Sequence, residues 1–428
     1  MSQARRAGVA ALVGTTLEWY DFLIYGTAAA LVLNTLYFPG TDPTASRLAV
    51  FATYAVGFAA RPIGGLVLGH LGDRRGRRSM LVLTVVLMGT ATTLIGLLPT
   101  YEQLGFWAPV ALVVLRLVQG FAAGGEYAGA VTLAVEHAGG SRRGLAGAWA
   151  ASGFALATLL STGIFQLMLL LPEADFESWG WRVPFLLGSL LLVAGVFIRR
   201  GVAEPAAFTE AVRPVRVPLL AVLRERPRAF AVVVGARLAE NSFAYLFPVF
   251  GVAYAVDVLG VERQVTLLAV VIAAAVQVAA VPLWAALSDR VGRRPVYAAG
   301  AVASAVWLAP FFLLVQSLSP ALLVLGFVVG LGVLYPAMLA PQAAYFAELF
   351  EPGTRLSGFA GARELGSVLA GGLLPFVATA LVAWSGHWWP VAAYLTLLSA
   401  VTVVALSFGP ETGRLAPEPA RGGTPVSR

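Results

Sequence analysis

Apolar residues run through this chain in long blocks separated by short polar stretches. They neither alternate, as in a membrane barrel strand, nor recur on one face, as in a surface helix. The blocks fall at about residues 9–36, 48–70, 79–99, 107–136, 144–171, 182–199, 229–256, 264–287, 296–316, 321–347, 356–384 and 391–409. Each is close to or above the roughly 20 residues a helix needs to cross a bilayer core. The pattern predicts an all-α membrane protein with 12 transmembrane helices. The longest polar interruption, Arg200 to Arg228, is rich in Arg and Pro. It divides the chain into a six-helix bundle at 1–199, a cytoplasmic linker at 200–228 and a second six-helix bundle at 229–409. Residues 410–428 form a short polar tail. The basic start followed by an apolar run could be a signal peptide. Glu18 and Asp21 interrupt that run, which argues for a first spanning helix instead.

Composition narrows the class further. Hydrophobic residues make up 59% and charged residues 12%, against about 45–50% and about 25% in soluble domains. The charge deficit excludes a soluble enzyme, a disordered chain and a nucleic-acid binder. All 29 basic residues are Arg. With both termini in the cytoplasm, 22 of them fall in cytoplasmic segments and three, Arg47, Arg182 and Arg263, fall outside. This asymmetry follows the positive-inside rule, so the net charge of +7 reads as orientation rather than affinity for an acidic partner. There is no Cys, which excludes disulfides and thiolate metal sites. His70, His137 and His387 are too scattered for a metal cluster. Gly120, Gly124 and Gly125 read as close helix packing and not as a phosphate loop, because no strand precedes them. No cofactor is expected. Trp107, Trp179, Trp181, Trp388 and Trp389 near outer helix ends read as interface anchors in the lipid bilayer.

An internal repeat links the halves. Gly69-His-Leu-Gly-Asp-Arg-Arg-Gly-Arg-Arg78 and Ala285-Ala-Leu-Ser-Asp-Arg-Val-Gly-Arg-Arg294 match at six of ten positions, at an offset of 216. The pairs Glu136/Arg143 and Glu348/Arg355 recur at an offset of 212. Two repeated bundles with a site between them is a common plan for secondary transporters.

These paired loops resemble the signatures of the major facilitator superfamily. The first helix, Gly14-Thr-Thr-Leu-Glu-Trp-Tyr-Asp-Phe-Leu-Ile-Tyr25, is similar to that of the metabolite:proton symporters. So are Arg61-Pro-Ile-Gly-Gly65, Arg116-Leu-Val-Gln-Gly-Phe-Ala-Ala-Gly-Gly-Glu-Tyr127, Trp179-Gly-Trp-Arg-Val-Pro-Phe185 and Arg237-Leu-Ala-Glu-Asn241. The resemblance spans about residues 9 to 410. It implies uptake of a small metabolite with a proton, in a family whose substrates include shikimate, 2-oxoglutarate, citrate, proline and betaine.

Nine ionisable residues lie well inside predicted spans: Glu18, Asp21, Arg61, Arg116, Glu126, Arg237, Glu240, Arg363 and Glu364. Facing lipid, each would cost about 2.5–3.5 kcal/mol, on the order of 25 kcal/mol together. They must face a cavity or one another, as transport groups or as static ion pairs. Glu18, Asp21 and Tyr25 share one helix face, as do Arg237, Glu240 and Asn241. The offset of 216 places Asp21 opposite Arg237 in the repeat, so an Asp21–Arg237 strut is one possibility. The proton-coupling candidates are Glu18, Asp21, Glu126 and Glu240. The substrate candidates are Tyr25, Arg116, Arg237, Asn241 and Arg363, because a guanidinium fork suits a carboxylate. An alternative for Arg116 is snorkelling to headgroups. Arg363 and Glu364 are adjacent, about 100° apart on a helix, and are not expected to pair. No role is evident for Arg61.

A cytoplasmic gate is expected from Asp73, Arg74, Arg77, Glu136 and Arg143 in one half and Asp289, Arg290, Arg293, Glu348 and Arg355 in the other. The alternative is a plain topology signal. The leading reading is a monomeric importer of a small organic acid or zwitterion with a proton, in a bacterial plasma membrane. An efflux carrier or passive facilitator of the same fold is the nearest rival. An intramembrane enzyme or a receptor would need a nucleophile, a metal set or a sensor domain, and none is evident.

Overall fold

The computed structural model of the protein describes residues 3–40, 42–75, 77–124, 127, 131, 143–200, 218–351 and 355–412. Glu126, Glu136, most of the linker and the end of the tail lie outside the described residues, as do the side chains of Asp73, Arg74, Arg77 and Arg143.

Among the described residues, twelve long helical stretches fall on the apolar blocks. In the first half, α1 comprises Gln3–Ala28, a π-helical turn Ala29–Leu33 and a last turn Asn34–Tyr37. It is followed by α2 (Pro43–Arg75), α3 (Arg77–Leu97), α4 (Trp107–Ala123), α5 (Arg143–Met168) and α6 (Val183–Arg200). In the second half, α7 comprises Pro227–Tyr245 and the π-helical Leu246–Gly251 and Tyr254–Val258. After it come α8 (Arg263–Val291) and α9 (Arg293–Gln316). α10 comprises Pro320–Phe327, the π-helical Val328–Leu334 and Pro336–Glu348. α11 comprises Arg355–Ser367, the π-helical Val368–Gly372 and Leu374–Ser385, and α12 is Trp389–Phe408. Eight of these helices are long and apolar enough to cross a membrane by that measure alone.

Helix pairs repeat between the halves. In the first, α1 packs on α5, α2 on α4 and α3 on α6. In the second, α7 packs on α11 and α12, and α9 on α10 and α12. The halves join mainly through α5 against α8 and α10 and α2 against α11, and α1 also touches the π-helical Leu246–Gly251 of α7. Without a hydrophobic driving force in lipid, such contacts depend on close approach of small residues. A Cβ on Gly120 would lie 1.8 Å from the Gly57 carbonyl oxygen, and one on Gly124 would lie 2.0 Å from that of Arg61. Only glycine lets α4 cross α2 this tightly, which is the packing role expected for both.

The π-helical turns are not randomly placed. Ala29–Leu33 in α1 and Leu246–Gly251 in α7 occupy nearly equivalent points of the repeat. A wide turn shifts the helix register and is frequent at functional sites. In α10 the turn precedes Pro336, and the Tyr335 amide bonds back to the Gly330 carbonyl at 2.9 Å.

Among the expected interface anchors, Trp107, Trp179 and Trp389 are exposed and Trp388 is half-buried against Phe312. Trp181 is a correction: it is fully buried. It sits in the 3-10 turn that enters α6, edge-on to Tyr37 and Phe185, with the Arg182 guanidinium 4.4 Å above its ring.

Candidate functional site

Five helices carry the intramembrane charges into the interior of the protein. α1 supplies Glu18 and Asp21, α2 Arg61, α4 Arg116, α7 Arg237 and Glu240, and α11 Arg363 and Glu364. All eight are buried, none more than 5% exposed. At that burial each charge needs partners, and the partners sort into three groups.

The first group crosses the seam. Arg61 Nη2 donates to Glu18 Oε1 at 2.6 Å, and Arg61 Nε donates to Glu364 Oε2 at 2.6 Å. The other Glu364 oxygen accepts from Arg363. Acid and base alternate along Glu18–Arg61–Glu364–Arg363. The expectation that Arg363 and Glu364 would not pair is thus corrected. Both side chains are long enough to bend to a common point, and Arg61 draws Glu364 there. Arg61, without a role in the sequence, ties α1 and α2 to α11.

The second group stays within the second half. Arg237 donates to Glu240, to Asn241 Oδ1 at 2.6 Å, to Gln342 Oε1 at 2.9 Å and to Ser367 Oγ at 3.1 Å. Tyr335 donates to Glu240 Oε1 at 2.9 Å. Each nitrogen of Arg237 has a partner, and Asn241 is engaged. The Asp21–Arg237 strut is absent among these contacts.

The third group lies within the first half. Arg116 Nη1 donates to Gln119 Oε1 at 2.8 Å, and Gln119 Nε2 donates to Thr92 Oγ1 at 2.6 Å. Asp21 lies beside Thr92 and within the field of Arg116. The Arg116 guanidinium carbon is 4.1 Å from the centre of the Tyr25 ring, and the Tyr25 hydroxyl bonds to Thr53. Arg116 is fully buried, so it does not snorkel to headgroups. Its Nε and Nη2 have no hydrogen-bond partner, and neither do Arg363 Nε and Nη2, among the described residues.

Aromatic rings from both halves meet between these groups. Trp19 packs edge-on to Phe154 at 5.1 Å, Phe154 on Tyr335 at 5.5 Å, and Tyr245 on Phe58 at 5.4 Å and Tyr54 at 5.5 Å. The sequence gives no periodic signal that separates these rings from ordinary core. Gln277 was also missed. It is fully buried on α8, and both of its amide atoms lack a partner among the described residues. One signal could have found it: it stands 216 residues after Arg61, at the same place in the repeat.

At the end of the bundle where α8 meets α5, Asp289 accepts the amides of Gly144 and Leu145, each at 3.0 Å. The carboxylate thereby sits on the N-terminal turn of α5, where the helix dipole favours a negative charge. Arg293 pairs with Asp289 at 2.7 Å and with Glu348 at 3.6 Å. Glu411 accepts the amides of Arg293 at 2.7 Å and Arg294 at 3.1 Å, and Thr412 donates to Glu348 at 2.6 Å. Arg355 Nε donates to the Phe350 carbonyl at 3.3 Å, and Arg290 is exposed. At the opposite end, Arg263 reaches Glu173 at 3.6 Å and Glu177 at 3.5 Å, and Gln264 donates to the Leu169 carbonyl at 2.6 Å. Arg47 reaches Asp257 at 3.9 Å. Polar contacts therefore join the halves on both sides of the buried charges.

Repeated helical halves around a buried, polar centre define a membrane transporter. Comparison with known proteins agrees. Residues 7–208 match the model described as sugar (and other) transporter, and residues 235–427 match that of the major facilitator superfamily. The chain is 37% identical over 416 residues to the shikimate transporter of Escherichia coli K12, covering 95% of each. It is 33% identical over 436 residues to the proline/betaine transporter of the same strain, covering 99% of this chain and 86% of that one. A solved D-xylose-proton symporter shares the fold, with a TM-score of 0.72 at 18% identity over 96% of this chain and 99% of that one. The chain belongs to the major facilitator superfamily and is a multi-pass membrane transporter.

Proposed function

We propose that this protein imports a small organic acid together with a proton by alternating access. In this reading it works as a monomer in a bacterial plasma membrane, with both ends in the cytoplasm and the halves 1–199 and 229–409 rocking about the buried charges. The observation that carries it is the pair of buried guanidinium groups, Arg116 and Arg363, each with two nitrogens lacking a partner among the described residues. A buried donor left unmet costs about 1–3 kcal/mol, and more when charged. A carboxylate answers two such donors at once in a fork. Arg237 and Asn241 are engaged within their own half, so substrate contact is assigned to Arg116, Arg363 and the Tyr25 ring.

Proton coupling is assigned to Asp21. The carboxylates of Glu18 and Glu240 are held by Arg61 and Arg237, whereas Asp21 shares Arg116 with the substrate. A proton on Asp21 leaves Arg116 to the substrate carboxylate. Loss of that proton restores competition for Arg116 and expels the substrate. The test is uptake into proteoliposomes across an imposed pH gradient, with shikimate, 2-oxoglutarate, citrate, proline and betaine as trial substrates. An acid should accumulate on the alkaline side. Uptake indifferent to the gradient would identify a facilitator, and exchange against protons an efflux carrier. Arg116→Ala and Arg363→Ala should each weaken substrate affinity about 10- to 100-fold, the range for a charge-assisted hydrogen bond. Unchanged affinity in both would refute the carboxylate clamp.

The same reading makes the Asp289 cap on α5 the inner gate, supported by Arg293, Glu348 and Glu411. A rocking equilibrium with a gap of a few kcal/mol responds to small biases. Asp289→Asn should favour the inward-open state. Because the chain has no cysteine, a single cysteine at Ala151 on α5 reports this directly. Its labelling from the cytoplasmic side should quicken about 5-fold or more for a bias near 1 kcal/mol. An unaltered rate would argue against a gate at this position.

A further inference from the structure

Along Glu18–Arg61–Glu364–Arg363 the charges balance, two acids against two guanidiniums. A substrate carboxylate on Arg363 therefore meets no surplus of positive charge in this group. Its hold depends on how many N–H and O–H groups face it. Arg363 uses Nη1 on Glu364 and keeps Nε and Nη2 unmet among the described residues. Those two nitrogens lie on one edge of the planar guanidinium, an edge that a carboxylate can take in a fork.

Two neutral donors flank the same guanidinium. Its carbon is 4.0 Å from the Tyr127 ring centre and 5.5 Å from that of Trp19. The two rings stand edge-on to each other at 6.3 Å. Both residues are 2% exposed. The Tyr127 hydroxyl and the Trp19 indole N–H have no hydrogen-bond partner among the described residues. Buried Tyr and Trp ordinarily place these groups on a partner, and an indole N–H can only donate. The unmet donors around Arg363 thus come from both halves: its own pair on α11, one from α1 and one from just past α4. An ionised carboxylate accepts only, on two oxygens with about four lone-pair sites, and so matches such a set.

We infer that Trp19 and Tyr127 are substrate-contact residues, their indole N–H and phenol O–H donating to the carboxylate that the free edge of Arg363 holds. This rests on the anion reading above and deepens it. It also makes the bound carboxylate a bridge between α1 of the first half and α11 of the second. The rival arrangement is internal. Trp19 lies edge-on to Phe154 at 5.1 Å, and an N–H aimed at a ring face makes a weak bond of its own.

The test is NMR of the purified full chain with isotope-labelled indole nitrogens, titrated with shikimate, 2-oxoglutarate and citrate. The chain has ten Trp, and the Trp19 signal is the one lost in Trp19→Phe. An indole N–H over a ring face resonates upfield, and one donating to a carboxylate resonates downfield. The Trp19 signal should move downfield on saturation with whichever acid binds. Tyr127→Phe should weaken binding of that acid about 10-fold, as expected for one hydrogen bond to a charged group. Its thermal midpoint should not fall, because the hydroxyl it removes is buried and unmet. In an Arg363→Ala background the same change should cost little, since the carboxylate is no longer held beside Tyr127. A purely structural role would give the same loss in both backgrounds. An acid that binds while the Trp19 signal stays in place would overturn the indole contact. No loss in Tyr127→Phe, or an equal loss in both backgrounds, would overturn the phenol contact. Either result leaves the anion reading standing, whereas failure of all three acids to bind would overturn both. Should Trp19→Phe fail to fold, the Tyr127→Phe comparison still decides whether the donors around Arg363 act together.

Discussion

Asp21→Asn is expected to abolish proton-driven accumulation while preserving exchange of substrate across the membrane. The carboxamide is close in shape to the protonated acid, so the substrate site should still form and the halves should still rock. It cannot gain or lose a proton, so the gradient no longer does work on the cycle. The accumulation ratio in proteoliposomes should drop to about 1, because no free-energy difference then drives either direction. Counterflow of labelled substrate should persist. Burial of Asp21 beside Thr92 and in the field of Arg116 is what gives this group its leverage. If the variant keeps the pH dependence of the parent chain, Asp21 is not the coupling group, and Glu18, Glu240 and Glu126 become the ones to substitute.

Arg61→Ala should be the most damaging single change to stability. It removes the one guanidinium seen to bridge Glu18 of α1 and Glu364 of α11, and it leaves two buried carboxylates without that partner. Breaking a buried pair by removing one member costs about 3–5 kcal/mol. For a large domain, about 2–4 °C of midpoint is lost per kcal/mol. The midpoint in detergent should therefore fall by about 10 °C, unless the protein fails to fold at all. Arg61→Lys keeps the charge but not the planar fork, and should fall between. The double change Glu18→Gln and Arg61→Leu should recover most of the loss, since it removes the guanidinium together with the carboxylate it alone held and leaves Glu364 paired with Arg363. An Arg61→Ala protein as stable as the parent would show that the link between halves has no energetic weight.

Much of this architecture was legible along the chain. Blocks of about 20 apolar residues predict helices because lipid offers the backbone no other partner. The recurrence of Asp73 at Asp289 reveals the repeat, and the burial cost of charge singles out the residues inside spans. The eight of them that the structure describes are all buried. Partner choice was less legible. Asp21 and Arg237 stand at matching points of the repeat, yet each finds partners inside its own half. Adjacent Arg363 and Glu364 pair although helix geometry turns them apart. In both cases a third residue from a distant helix decides, Gln342 or Arg61, and linear spacing holds no trace of that neighbour.

The sequence alone determined the class of protein, the helices, the repeat and the residues that carry charge into the membrane. Those follow from local physics: a helix must be apolar to sit in lipid, and a charge there must be excused by function or by a partner. Only the tertiary structure decided which charge meets which, that Arg61 joins the halves, that arginines lie over some of the buried rings, and that Arg116, Arg363 and Gln277 keep polar groups unmet among the described residues. Those depend on where side chains from separate helices converge within a few ångströms. That convergence is a property of packing and not of any one segment.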